Sequence, residues 1–180
     1  MKKIYIFVAA IIMLCAGVAF AGTTVNLIID ANKGISLLRK TKKQCESRMK
    51  KLNAQMPYVQ VVPGVGRQIR NLESLVRDKG GKVNRIDETK LIIDEADNIF
   101  EALLLDGANA IQVVEMYNKL LSKYEDPDLQ KTVRELRDET MVYWMMFENI
   151  VQTSMMAMIQ NQAKQGVLPR EEQEEEFSPE

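Results

Sequence analysis

Histidine is absent from this 180-residue chain. With it goes the side chain best suited to moving protons near neutral pH, and a common metal ligand. Cysteine is nearly absent: Cys15 lies in the first apolar run, and Cys45 stands alone beyond it. Once Cys15 is removed no internal disulfide can form, so Cys45 is either a small buried side chain or the partner of a thiol in a second chain. Serines are few and none sits in a nucleophile-elbow pattern. The turns Gly64-Val65-Gly66-Arg67 and Gly80-Gly81-Lys82 lack the rest of any phosphate-loop fingerprint. Aromatic residues make up 6% of the chain, and none is interleaved with the basic run that would have to meet nucleic-acid bases. These shortages leave little for catalysis. We therefore expect a non-enzymatic protein without cofactor or metal, and no nucleic-acid partner.

Long apolar runs are confined to the start. Met1-Lys2-Lys3 is a short basic stretch, Ile4 to Ala16 is almost wholly apolar, and Ala19-Phe20-Ala21 fits the small-x-small pattern that precedes signal cleavage. The expectation is a signal peptide over residues 1–21, cleavage before Gly22, and a periplasmic or secreted mature chain. Membrane contact is then limited to the signal segment or to the periphery. Of 24 basic residues, Lys2 and Lys3 leave with the signal, so 22 face 25 acidic ones in a mature chain of net charge −3.

Helical periodicity governs the rest. Ile28, Ala31, Ile35, Leu38, Lys42, Cys45, Met49, Leu52 and Met56 alternate spacings of three and four, which predicts a long helix ending at Pro57. Residues 57–66, bracketed by Pro57 and Pro63, predict an extended connector, followed by a short helix from Arg67 to Asp78 that Gly80-Gly81 ends. One heptad frame then runs from Ile86 to Tyr124 through Gly107, predicting a single long helix capped by Asn84 or Asp87 and bent or frayed at the glycine. Asp126 caps the last helix with Pro127 at its first position, and the helix runs to about Gln165. The fold class is therefore all-α: an elongated antiparallel bundle of three long helices plus one short helix over residues 22–168. An acidic tail over residues 169–180 is too poor in apolar surface to fold.

Two stretches stand out as candidate contact surfaces. Met141 to Ile159 holds six of the eleven methionines, the only tryptophan and a single charge, Glu148. Met141, Trp144, Met145, Met146, Met155 and Met156 are the candidate partner-binding residues, since methionine adapts to varied surfaces. The thioether pairs Met141/Met145 and Met155/Met158 are about 21 Å apart along a helix and cannot form one copper site. The second stretch is basic: Lys33, Arg39, Lys40, Lys42, Lys43, Arg48, Lys50 and Lys51 face Glu46 alone. It is either a solvated helix face or a site for a polyanion, the chain's own acidic tail included. Asp94, Glu95, Asp97 and Glu101 read as a solvated helix face.

A signal peptide, three long helices and a small appendage resemble the layout of minor pilus components of type IV secretion systems, and also that of periplasmic helical chaperones. The resemblance is one of architecture. It implies an assembly component or adaptor of an envelope or secretion machine, with other envelope proteins or further copies of itself as partners. The alternative is a holdase chaperone using the same Met-rich surface, and the third expectation is a polyanion or envelope-surface binder acting through the basic helix.

Overall fold

The computed structural model describes residues 2–164, with side chains from Thr23 onward. Side chains of the expected signal segment, together with Gly166, Pro169 and the acidic tail, lie outside the described residues. Among the described residues there are four α-helices, α1 (Lys2–Lys51), α2 (Tyr58–Asp78), α3 (Ile99–Lys123) and α4 (Pro127–Lys164), with a 3-10 turn at Glu88–Lys90.

Cross-helix contacts fix the topology. Asp30 meets Lys123 and Gln44 meets Asp106, so α1 and α3 run antiparallel. Lys79 meets Asp126, Gln68 meets Thr140 and Tyr58 packs on Phe147, so α2 and α4 do the same. The helices therefore run up, down, down, up. The α1–α2 and α3–α4 joints are short, and residues 79–98 form one long crossover that climbs back along α1. One core joins all four helices, with Ile35, Leu38, Tyr58, Leu72, Tyr117 and Leu129 at or near complete burial.

Two expectations are corrected. Residues 58–66 are not an extended connector but the first half of α2. Tyr58, Val61, Val65, Ile69, Leu72 and Val76 are buried at helical spacing, and burying that stripe outweighs the lost backbone bond at Pro63, which is itself exposed. Gly64 is also required there: a Cβ would lie 1.7 Å from Tyr143 Oη, which packs against Gly64 and donates to Glu139 one turn back on α4. The fold thus has four bundle helices rather than three and an appendage. α1 itself stops at Lys51, one turn before Met56.

The second correction concerns residues 84–98, which are not helical apart from the 3-10 turn. Asp87 caps that turn by accepting from Thr89 N–H at 3.1 Å, and the helix cap is Asn98, whose Oδ1 accepts from Glu101 N–H at 2.9 Å. The apolar frame before it is satisfied differently: Val83, Ile86, Leu91 and Ile93 lie half-buried, while Ile92 is 86% exposed. From Ile99 the helix passes through Gly107 without a break, as the continuous frame predicts.

The other punctuation marks are where the sequence puts them. Gly80 takes φ +76°, its N–H donates to Arg77 O at 2.8 Å, and Gly81 N–H donates to Val76 O at 2.8 Å, a glycine stop for α2. Asp126 Oδ1 accepts from Leu129 N–H at 2.9 Å, with Pro127 at the first position of α4.

Candidate contact surface and the buried polar centre

Besides Asn32, which donates to Lys82 O at 3.0 Å and accepts from Asn84 N–H at 2.8 Å, polar side chains enter the bundle in two bonded groups. In the first, Asp106 on α3 accepts from Gln44 Nε2 at 2.7 Å and from Tyr58 Oη at 2.8 Å, and Arg48 Nε lies 3.9 Å from its Oδ2. Burial pushes the Asp106 carboxyl above the ordinary range, while the two donors and the Arg48 charge pull it back. The Tyr58 hydroxyl is raised as well, by burial and by the neighbouring Asp106. In the second group, Gln68 on α2 donates to Thr140 Oγ1 at 3.1 Å, and its Oε1 accepts from Tyr117 Oη at 3.1 Å. Glu139 beside it accepts from Arg67 at 2.6 Å and from the Tyr143 hydroxyl. Arg48 Nε is the one buried polar atom of the first group left without a hydrogen-bond partner, and hydrogen-bonded networks of this kind fix the register of helices.

Among the described residues, the void bounded by Thr41, Gln68, Asp106 and Thr140 is about 10 Å³, no larger than one water. Among the described residues no three His, Cys, Asp or Glu side chains group as metal ligands. Asp106 is the one carboxylate of the first group, and its neighbours are an amide, a phenol and a guanidinium.

The basic run is largely committed inside the molecule. Arg48 is 1% exposed and donates to Asp94 O, which removes it from any surface patch. Arg39 pairs with Glu73 at 2.7 Å, Lys40 with the Asp94 carboxylate at 3.2 Å and Lys51 with Glu95 at 2.8 Å. Lys43 donates to Leu91 O at 2.8 Å. Lys33 bonds Asp30 at 3.3 Å, and Lys50 is exposed. The run reads as a grip on the crossover: Lys40, Lys43, Arg48 and Lys51 recur on one stripe of α1 and hold residues 89–95. Asp94 and Glu95, expected on a helix face, are the crossover's side of that grip. Sequence spacing placed the basic stripe but had no means of showing which segment would lie on it.

Cys45 is 1% exposed within the core. Burial raises its thiol far above the ordinary range. Cys45 is a free thiol buried in this chain, and an interchain disulfide would need the α1 seam to open to a second copy.

The α4 candidates separate by face and by height. Trp144 is half-buried on the wall of a shallow groove of about 350 Å³ between α3 and α4, beside Leu104, Ala108 and Ile111. Met146 lies on the other flank, half-buried against the core, and is not part of an open surface. Met141 and Met145 are exposed at mid-height.

Beyond Val151 the helix leaves the bundle. Leu103 and Val151 line the same groove, so the last residues of α4 rise past Ile99, the first residue of α3. There Met155, Met156, Met158 and Ile159 are 48%, 60%, 54% and 48% exposed. Met158 continues the line of core-facing positions Phe147, Val151 and Ser154 at helical spacing, but no neighbouring helix remains to meet it. From Asn149 to Ala163 the helix carries no charge. Met158 and Ile159 were missing from the six candidates; the same methionine-rich composition pointed to them, but only the height of α3 shows where cover ends.

No protein-family model matches the chain, and no curated protein does. Among solved structures the chain is similar to one described as "ferritin like, diiron-carboxylate proteins from Bacillus anthracis str. Ames". The TM-score is 0.55 at 13% identity, over 72% of this chain and 97% of that one. The up-down-down-up order with one long crossover is the ferritin-like arrangement. The protein is an all-α, four-helix, ferritin-like bundle.

Proposed function

We propose that this protein is exported and works without catalysis, as a protein-binding assembly component or adaptor of a cell envelope or secretion machine. The contact surface is the free end of α4. The observation that carries this reading is the uncharged, half-exposed cluster Met155, Met156, Met158 and Ile159 on a helix that has outrun its bundle. A helix end with apolar residues on several sides is marginal in water by itself and gains from cover. Met141 and Met145 extend the surface downward.

A diiron role does not transfer from the Bacillus anthracis structure's description. Di-iron bundles of this kind draw a Glu from each of two helices and a Glu-x-x-His pair from each of the other two. This chain has no histidine. Its interior offers Asp106 beside a guanidinium that already supplies the positive charge. The residues do not fit, and no chemistry is assigned through iron.

The test is crosslinking in cells from a photoreactive residue at Met156, with Lys131 on the lower outer face as control. A few fixed partners trapped only from position 156 is the expected result. Many unrelated proteins trapped there would favour the chaperone reading. Equal yields from both positions would remove the contact surface. A polyanion site has less to stand on, because the basic side chains it needs hold the crossover.

A further inference from the structure

Two side chains of α1 converge on one residue of the crossover and are joined behind it by a single carboxylate. Asp94 N–H donates to Gln44 Oε1 at 3.1 Å, and Asp94 O accepts from Arg48 Nη2. Both side chains also reach Asp106: Gln44 Nε2 donates to Oδ1 at 2.7 Å, and Arg48 Nε stands 3.9 Å from Oδ2 without a hydrogen-bond partner of its own. Asp94 lies in neither helix nor strand, so its backbone groups depend on these side chains alone. The apolar hold on the crossover is thin: Ala96, 9% exposed, is its one buried apolar residue, and Ile92 is 86% exposed. A buried guanidinium and carboxylate cost desolvation that a leucine pair of similar volume would avoid, so space-filling does not explain them.

We propose that Asp106, Gln44 and Arg48 form an internal latch that keeps the crossover docked, and that residues 85–95 can open as a unit while the four helices stay paired and Asn32 keeps Lys82 and Asn84 tied to α1. Arg48 suits the task because a planar guanidinium can face a carboxylate on one side and a carbonyl on the other, which an ammonium cannot do from the same position. Segments with few apolar contacts and side-chain-dependent backbone bonds belong to the low-stability end of a fold.

Native-state hydrogen exchange and limited trypsin digestion of the full chain test the latch. Arg85 and Lys90 give trypsin its sites within residues 85–95. Arg48→Lys keeps the buried charge and so protects folding; Arg48→Met removes it. In Arg48→Lys we expect the Asp94 amide to exchange and the crossover to be cut at least tenfold faster, with amides at Val113 and Thr140 as slow as before. Arg48→Met should accelerate the crossover further, and the nicked chain should still elute as one bundle. Unchanged exchange at Asp94 in Arg48→Lys would overturn the proposal. So would equal acceleration at Asp94, Val113 and Thr140, since the residues would then hold the whole fold and not a latch.

Discussion

At the scale of single residues, one close contact between helices depends on the absence of a side chain. A Cβ on Gly64 would meet Tyr143 Oη at 1.7 Å and Cζ at 2.5 Å. Gly64→Ala should therefore destabilise the bundle by about 1–3 kcal/mol through overpacking. In urea titrations, adding Tyr143→Leu should make the pair cost less than the sum of the two changes. Asp106 gives a pH dependence of unusual sign. Its folded-state value is raised above 3.8, chiefly by burial. Between the unfolded and folded values the native state binds more protons, so this group's contribution to stability is greatest below 3.8 and falls as pH rises through the folded value. Asp106→Asn should lack this fall, and unfolding midpoints of the two proteins against pH would show it. Asp30 runs the other way: the hydrogen bond from Lys123 lowers it below 3.8, so its contribution is present above that value and is lost as pH falls through the folded value. With Asp30 24% exposed, solvent screening keeps that term small. Cys45 should resist a thiol reagent in the native protein and react once the chain is unfolded, with no dimer on a non-reducing gel.

At the scale of elements, α3 and α4 differ in what their ends do. The start of α3 is locked: Asn98 caps Glu101 N–H, and Glu101 Oε2 accepts in return from Asp97 N–H at 2.8 Å. Asn98→Ala should cost about 1 kcal/mol in a denaturant titration. The far end of α4 has no such tie to the bundle. Met155→Glu with Met158→Glu should shift stability by no more than about 0.5 kcal/mol, because both side chains are half-exposed. The same pair should abolish crosslinking from position 156. A large loss of stability would mean instead that these methionines are part of the monomer's core. The crossover is a third kind of element, ordered by side chains of α1 and not by its own backbone. That is why the unbroken heptad from Ile86 to Tyr124 misleads. Its apolar positions are half-buried as a helix would need, but they are served by an irregular chain lying on a polar stripe.

At the scale of the whole molecule, the ferritin-like arrangement and the missing ligand set pull apart. Protein from iron-supplemented cells should carry far less than one iron per chain by elemental analysis, since one core carboxylate beside a guanidinium is a poor site. Among the described residues no helix is long and apolar enough to cross a membrane. Export through the first segment is a prediction about residues 1–21, and it is tested by sequencing the N-terminus of exported protein, which should begin at Gly22.

Although Lys42 and Met49 of the expected α1 seam are only half-buried and Met56 is exposed, periodicity, caps and composition by themselves determined an all-helical chain, the α1 core positions Ala31, Ile35, Leu38 and Cys45, the α4 seam from Leu129 to Phe147, the glycine stop after α2 and the Asp126-Pro127 start. All of these follow from interactions within a turn or two of the chain. The sequence also placed the methionine-rich stretch and the basic stripe, because composition is local. Only the tertiary structure decided that Pro57 to Gly66 opens a fourth bundle helix, since burial of Tyr58, Val61 and Val65 against other helices outweighs Pro63. It alone decided that Arg48 lies inside and that the basic stripe holds a crossover. It also decided that α4 outlives its neighbour at Ile99, because where cover ends depends on the length of a different helix.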